Sequence, residues 1–430
     1  MAQSDVINSN IEHTVRDHYG RILAILAKQF GDIELAEDVL QEAIVSALEK
    51  WPMSGCPEKP VAWLMQTAKH KAIDRLRRQQ VYRSKAEQLL ILEQIEKEVA
   101  MEGDISEYPD QRLSLIFTCC HPALGEQVRV ALTLKTLCGL STLQVAKAFL
   151  VSESSMAQRI VRAKRKIKSA GIPYQVPPAH LIEQRLSAVL AVIYFIYNEG
   201  YYRSVGDSLI SSELCEEGVH LATMMLELLP EEPEVMGLLA LLYFHHARKA
   251  ARISDKGELI DLEHQYRASW NSSFIETADQ LLRDALAKSK PGSYQIQAAI
   301  SAVHAHAARF SDTDWEQIVL LYQKLESIDS NPVIKLNLAV ALSFAEEPAI
   351  GLMYLDQISN LDRLGAYHPY FTARAELLRR LGNLQESRLM YQKAIGLCDN
   401  SIERNHLLRR MRSLDCLVLP SFQEGSESTV

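Results

Sequence analysis

The sequence predicts an all-α protein, and three observations point to that fold class. Glycine accounts for only 18 of 430 residues, about 4% against a usual ~7%, which disfavours turn-rich β architecture. Apolar residues recur at helical spacing along most of the chain. Prolines mark breaks between these amphipathic stretches, at 52–60 and at 173–178. We therefore expect successive helices joined by short loops.

Composition excludes several classes of protein. Apolar residues make up 47% of the chain, enough for hydrophobic cores, so disorder throughout is excluded. The longest unbroken apolar run, 188–197, falls short of the ~18 residues that a membrane span needs. The N-terminus lacks the basic and apolar segments of a secretory signal. Seven cysteines without framework spacing predict reduced thiols. We expect a cytoplasmic protein with no membrane association.

Charge is divided unevenly along the chain. Residues 1–168 carry a net charge of +2, whereas residues 169–430 carry −10. Within the first part, basic residues cluster in 69–85 and 153–168, and an acidic stretch, 86–110, lies between the clusters. Two compact positive patches are typical of a nucleic-acid-binding protein, although similar runs also occur on solvated helix faces.

Two amphipathic helices are predicted near the N-terminus. The first carries an apolar stripe from Leu35 to Leu48 and is expected to stop at Trp51, because Pro52 disfavours helical backbone in its predecessor. Away from that stripe it presents an acidic and amide side, which includes Glu37, Asp38, Gln41 and Glu42. Such a face would repel phosphate, so we expect it to contact a protein; solvated charge is the alternative.

The second helix, predicted over 61–78, combines basic, amide and aromatic side chains on its exposed face. This composition suits stacking on unpaired bases while phosphates are neutralised. Trp63 packing against the preceding helix is an equally open interpretation. The candidate nucleic-acid contacts on this helix are Trp63, Gln66, Lys69, His70, Arg75, Arg77 and Arg78.

A helix-turn-helix is predicted over 141–168. Ser141 and Gln144 have the spacing of a capping box before a short helix, and Ser152 then caps a longer helix with an apolar stripe from Met156 to Ile167. Residues near the start of such a helix reach base edges, and later basic residues contact phosphate. An amphipathic hairpin on a solvated surface is the alternative. The candidate DNA contacts are Ser154, Ser155, Gln158, Arg159, Arg162, Arg165 and Lys166.

The C-terminal half shows a repeat of small and large residues. Positions from Ala375 to Ala394 fit a tetratricopeptide helix pair of about 34 residues, and Ala339 to Ile358 show the same rhythm 36 residues earlier. Small residues let paired helices approach closely. Further upstream, 198–201 is expected to end the preceding apolar helix in a turn, with a ligand pocket there as the alternative.

Several of these stretches resemble a known family. Leu35–Ala43, Ala62–Ala68 and Ala72–Arg78 resemble region 2 of bacterial sigma factors, and Gly139–Ala146 with Met156–Lys164 resembles their region 4. The presence of only these two regions is similar to the extracytoplasmic-function branch. Motifs at Phe117–Leu124, Ile172–Tyr174 and Ile196–Tyr201 resemble the subgroup with a tetratricopeptide-like extension. The resemblance covers essentially the whole chain.

The resemblance implies a division into domains. Region 2 would occupy 1–85, an acidic linker 86–110, region 4 111–171, and a helical regulatory domain 180–415, followed by a flexible tail over 416–430.

The resemblance also implies partners and roles. The chain would bind core RNA polymerase through the β′ clamp helices and the β flap, with Asp38, Gln41 and Glu42 on the clamp. The helix 61–78 and the loop 52–60 would recognise and open the −10 promoter element, and the helix from Glu153 would read the −35 element. A regulatory protein at the C-terminal domain is a further expected partner. The implied function is that of an alternative sigma factor.

No catalytic residue, cofactor or metal site is predicted. Cys119, Cys120, His121 and Cys138 lack the paired spacing of a zinc site and are expected to be core residues. Nucleotide-binding glycine loops and hydrolase motifs are absent from the sequence. Two alternatives to a sigma factor stay open: a helix-turn-helix regulator with a tetratricopeptide sensor, and a repeat scaffold without a nucleic-acid role.

Overall fold

The computed structural model describes residues 2–80, 109–149, 151–203, 206–358, 364–365 and 367–418. These residues form 18 α-helices and no β-strand, so the all-helical prediction is confirmed. The chain divides into two compact units, Met1–Ile196 and Tyr197–Val430, which are described separately. Most of the predicted acidic linker lies outside the described residues. So does most of the predicted tail, although 416–418 belong to the last helix. The domain boundaries remain predictions.

The first unit is built from seven helices and most of an eighth. They are α1 (Ala2–Phe30), α2 (Ile33–Ser54), α3 (Pro60–Gln80), α4 (Arg112–Cys119), α5 (Glu126–Leu137), α6 (Thr142–Ala148), α7 (Glu153–Ser169) and α8 (Ala179–Tyr201). The first three pack on one another as a bundle, and α4 and α5 both contact α1. Asp32 caps α2, where its carboxylate accepts hydrogen bonds from the N–H groups of Glu34 (2.9 Å) and Leu35 (3.3 Å).

The predicted end of α2 at Trp51 was wrong. The helix continues through Pro52 to Ser54, and the N–H of Gly55 donates to the carbonyl of Trp51 (2.9 Å). Trp51 itself is almost completely buried. The burial of this indole outweighs the local backbone preference of a residue before proline.

The helix-turn-helix forms as the sequence predicts. The Ser141 N–H donates to Gln144 Oε1 (2.8 Å) and the Gln144 N–H donates to Ser141 Oγ (3.1 Å), which completes the capping box. Ser152 caps α7 by accepting from the N–H of Ser155 (3.3 Å). The buried residues of α7 are the four of the predicted stripe, Met156, Ile160, Ala163 and Ile167.

The second unit contains the end of α8 and ten further helices. They are α9 (Ser212–Leu228), α10 (Pro233–Ala247), α11 (Ser272–Ala287), α12 (Ser293–His306), α13 (Trp315–Ile328), α14 (Pro332–Ala345), α15 (Pro348–Ile358), α16 (His368–Arg380), α17 (Leu384–Leu397) and α18 (Ser401–Val418). Successive helices contact one another from α9 to α18. The unit is therefore a sequential array in which each helix packs on the next.

The predicted repeat coincides with two of these pairs, α14–α15 and α16–α17. Its small positions are buried at the pair contacts, and they include Ala339, Gly351, Ala375 and Ser387. A methyl group added to Gly351 would lie 2.6 Å from the Ala339 carbonyl oxygen. The backbones of α14 and α15 thus approach as closely as a tetratricopeptide pair requires.

The turn predicted at 198–201 was wrong, because α8 continues unbroken to Tyr201. By length and composition α8 is the one described helix that meets the criteria for a membrane span. Many of its apolar side chains are fully buried, among them Val189, Val192, Ile193 and Ile196. Such burial is typical of a core helix.

Candidate nucleic-acid and polymerase interfaces

The acidic face of α2 borders an open cleft of about 530 Å³. Asp38, Gln41 and Glu42 are exposed and line this cleft together with Lys71 and Arg75 of α3. We call Asp38, Gln41 and Glu42 the acidic face. The side chains that the sequence assigns to a protein contact therefore share one accessible surface.

Arg75 pairs with the acidic face. Its guanidinium lies 2.8 Å from Asp38 Oδ2 and 3.9 Å from Glu42 Oε1, and Lys71 Nζ lies 3.8 Å from Glu42 Oε2. Arg75 belongs to the predicted −10 contacts, yet in the free chain it neutralises the neighbouring acidic face. The structure thus brings members of two predicted sites into contact.

A stripe of polar side chains follows one side of α3. Gln66 is partly exposed, and His70, Arg77 and Arg78 are exposed. We call these four residues the α3 surface. Gln66, His70 and Arg77 lie at spacings of four and seven residues, so they share one helix face. The surface combines hydrogen-bonding and cationic groups, which can contact bases and phosphates.

Lys69 and Trp63 depart from the predicted exposed face. Lys69 is 3% exposed, so the prediction that it lies on the exposed face of the helix was wrong. Trp63 is partly buried and packs edge-on against Trp51, with ring centroids 5.4 Å apart. Trp63 therefore packs on the preceding helix, which confirms that interpretation, and it remains partly exposed.

The solvent side of α7 carries the second candidate surface. Ser154, Gln158, Arg162 and Arg165 are exposed, and we call these four residues the α7 surface. Ser155 is partly exposed, and its N–H donates to Ser152 Oγ in the cap of α7. The two remaining predicted contacts of α7 are held by neighbouring segments: Arg159 donates to Gln127 Oε1 (3.4 Å) and Lys166 donates to the Ala123 carbonyl.

Buried and exposed ion pairs join α7 to α2. Lys164 pairs with Glu37, and their side chains are only 10% and 11% exposed. Lys168 pairs with Asp32, the capping residue of α2. The sequence assigns Glu37 to the exposed acidic side of α2, and that assignment was wrong. No sequence signal identifies this pair, because its partners are 127 residues apart.

The Ile172–Tyr174 and Phe117–Leu124 motifs reinforce the same junction. The Tyr174 hydroxyl accepts a hydrogen bond from the Ile33 N–H (3.1 Å), and burial raises its pKa well above the usual value. Thr118 Oγ1 donates to the Pro173 carbonyl (2.9 Å). A methyl group on Gly20 of α1 would lie 2.2 Å from the Leu137 carbonyl oxygen, so α1 and α5 are in backbone contact.

Cys119 and Cys120 are core residues, as predicted, whereas His121 and Cys138 are only partly buried, so the prediction was wrong for these two. Cys119 and Cys120 have no measurable exposure, and burial raises the pKa of Cys119 to about 12. A thiol with so high a pKa is neutral and a poor nucleophile. The Phe117–Leu124 motif therefore serves packing in the first unit.

The compact first unit therefore carries one acidic face on α2 and two separate polar surfaces with exposed arginines, on α3 and α7. Residues 14–81 match the family model of Sigma-70 region 2, and residues 114–167 match that of Sigma-70, region 4. Residues 185–286 match a family of unknown function, DUF6596. An uncharacterized protein of Rhizobium meliloti (strain 1021) is 41% identical over 394 residues, which cover 91% of this chain and 93% of that protein.

The chain belongs to the sigma-70 family, as a sigma factor of the extracytoplasmic-function type with a C-terminal extension. It is an alternative sigma factor that directs transcription, and its partners are core RNA polymerase and promoter DNA.

Proposed function

We propose that the three surfaces of the first unit have separate roles in polymerase binding and promoter recognition. The acidic face binds the β′ clamp helices, the α3 surface and the 52–60 segment capture the −10 element, and the α7 surface reads the −35 element. The observation that carries this proposal is the exposure of Asp38, Arg78 and Arg162 on three separate helices of one compact unit. Region 4 also contacts the β flap in this proposal.

The chemistry of each surface supports its assignment. Carboxylates repel DNA phosphate, so the acidic face suits the basic surface of a protein. On the α7 surface, Ser154 precedes Gln158 and two arginines, which matches an arrangement of base contacts first and phosphate contacts later. The protein acts by binding, in the cytoplasm, and performs no catalysis of its own.

The second unit modulates this activity in our proposal. Residues 169–430 carry a net charge of −10, and the helix pairs of the unit form the kind of array that binds other proteins. A regulatory protein is therefore the expected partner of this unit.

Polymerase docking is tested with matched charge changes in the full-length chain. Asp38→Asn combined with Gln41→Ala should abolish co-purification with core RNA polymerase and run-off transcription from a genomic promoter pool. Glu216→Gln, an exposed acid of the second unit, is the control and should retain both. Loss of the exposed Asp38–Arg75 pair costs about 0–1 kcal/mol, so the variant should remain folded.

The outcome also separates the alternative functions. A helix-turn-helix regulator would bind duplex DNA with either variant and would not require polymerase. Wild-type protein that binds DNA but never co-purifies with polymerase would contradict the docking proposal.

A further inference from the structure

Three metal-ligating side chains meet in the second unit, far along the chain from the sigma regions. His368 begins α16, Cys398 follows α17, and Glu403 lies in the first turn of α18. Their ligand atoms all lie within 4.8 Å of one another. Cys398 and Glu403 are 1% and 7% exposed, and the His368 side chain is 19% exposed.

The distances match those between ligands of one ion. Glu403 Oε2 lies 3.6 Å from His368 Nε2 and 3.6 Å from Cys398 Sγ. Zinc bonds of about 2.0–2.3 Å in a tetrahedron place ligand atoms about 3.4–3.6 Å apart. A small adjustment of the imidazole or the thiol would therefore bring all three atoms onto one ion.

We propose that His368, Cys398 and Glu403 bind a zinc-type divalent ion, with the fourth position open to water or another ligand. The donor set favours this class of ion, because thiolate and imidazole select zinc-like metals over magnesium and calcium. Binding replaces the Cys398 thiol proton, which is released to solvent. The site is independent of the polymerase and promoter contacts proposed above.

The backbone around the site is fixed by Asn400. Its Oδ1 accepts hydrogen bonds from the N–H groups of Ile402 (3.1 Å) and Glu403 (3.2 Å), and its Nδ2 donates to the carbonyls of Arg203 (3.1 Å) and Ser208 (3.0 Å). The turn that carries two of the three ligands is thus held in place before any ion arrives. Such preorganisation lowers the cost of binding.

The hydrogen bonding of His368 provides an independent observation. Its Nδ1 is buried and has no hydrogen-bond partner among the described residues. A buried polar atom without a partner is costly. Rotation of the ring about its χ2 bond would present either nitrogen to an ion. A bound ion could therefore provide a partner for the unpaired Nδ1.

The ion would link two helices, α16 and α18, and the loop that follows α17. Cys398 and Glu403 flank Asn400, which in turn holds residues 203 and 208. Binding of the ion would therefore hold α16 and α18 together next to the segment that follows α8. Metal binding of this kind should stabilise the second unit by mass action.

The test uses the full-length chain after chelation and dialysis, with Co²⁺ and Zn²⁺ as probes. We expect one Co²⁺ per chain, with the intense absorption of a cobalt–thiolate bond, and its displacement by one equivalent of Zn²⁺. Cys398→Ser should abolish the thiolate band, and His368→Gln and Glu403→Gln should each weaken binding by at least about tenfold. Cys215→Ser, a buried cysteine of the same unit, is the matched control and should retain the band.

Two results would overturn the proposal. One is the absence of a thiolate band at excess Co²⁺ in the wild-type chain. The other is a band that survives Cys398→Ser, which would place the bound ion at another cysteine. If Cys398→Ser fails to fold by circular dichroism, His368→Gln decides: unchanged Co²⁺ affinity in that variant contradicts the site.

Discussion

The guanidinium of Arg75 on α3 lies 2.8 Å from the carboxylate of Asp38 on α2. A side chain predicted to contact promoter DNA is thus paired with one predicted to contact polymerase. Both side chains are about half exposed, 42% and 51%, so the pair is weak and can exchange partners in a complex.

We expect Arg75→Gln to have little effect on single-stranded DNA binding, whereas Arg78→Gln weakens it. Arg75 is directed to Asp38, but Arg78 is exposed on the α3 surface. Loss of one phosphate contact should lower the salt dependence, the slope of log K against log salt, by about 0.7. Fluorescence anisotropy with a single-stranded oligonucleotide measures both variants. Equal losses of affinity would place Arg75 among the DNA contacts.

We expect Arg162→Ala to weaken duplex binding without regard to sequence. Arg162 is an exposed cation beyond the first turn of α7, where phosphate contacts are expected. The salt slope on a duplex of arbitrary sequence should fall by about 0.9. Lys166→Ala is the control and should have a smaller effect, since this ammonium already donates to the Ala123 carbonyl. An unchanged slope for Arg162→Ala would contradict the α7 surface.

We expect Lys164→Met to destabilise the first unit by about 3–5 kcal/mol, because it leaves the buried Glu37 carboxylate without its partner. The double variant Lys164→Met, Glu37→Leu should recover most of this loss. Hydrogen exchange of α2 and α7 peptides measures the effect locally, and peptides of the second unit provide the reference. Equal exchange in wild type and Lys164→Met would show that the pair does not hold the helices together.

We expect Gly351→Ala to destabilise the second unit by about 1–3 kcal/mol, because the new methyl group would lie 2.6 Å from the Ala339 carbonyl oxygen. Gly396→Ala in α17 is the matched control, since a methyl group there meets nothing within 4 Å and alanine favours a helix. Thermal unfolding followed by circular dichroism compares the two. If the second unit modulates transcription, run-off output should change with Gly351→Ala only.

We expect the second unit to lose stability on mild acidification. Burial, with the nearby charges of Arg248 and Arg267, lowers the pKa of His304 to about 3 from its usual 6.5. The His304 imidazole of the unfolded chain therefore binds a proton below about pH 6.5, whereas that of the folded chain binds one only below about pH 3. The contribution of His304 to stability is complete above pH 6.5 and should fall by about 2 kcal/mol by about pH 5.

The variant His304→Gln tests this pH dependence, and His306→Gln, an exposed histidine of the same helix, is its control. The thermal transition that Gly351→Ala moves identifies the second unit. His304→Gln should reduce the acid response of that transition, leaving the part due to other buried histidines such as His245 and His246, and His306→Gln should not reduce it. An acid response as steep in His304→Gln as in wild type would assign it to other groups.

Local patterns predicted the helix-turn-helix and the tetratricopeptide-like pairs well. Ser141, Gln144 and Ser152 act through contacts three residues away, and the stripe of α7 follows helical spacing alone. Such features depend on neighbours in sequence, so they can be recognised without the tertiary structure.

The predictions of burial and helix ends were wrong where contacts with distant segments of the chain determine them. Lys69 lies at the boundary of a stripe, and only packing determines whether such a residue is buried. Glu37 is buried by Lys164, and the ligands of the proposed metal site come from three segments with no paired spacing. Trp51 shows the same principle, since its burial extends α2 past a proline.

The junction between α2 and α7 has a consequence for promoter geometry. The Lys164–Glu37 pair and the Tyr174–Ile33 hydrogen bond hold α7 and the segment after it against α2, which packs on α3, so they couple the α3 surface to the α7 surface. A change in the number of base pairs between the two promoter elements would then have to be accommodated by twisting or bending the intervening DNA. Transcription from promoters with an altered spacer should therefore differ between the wild-type chain and a variant in which the contacts between α2 and α7 are removed.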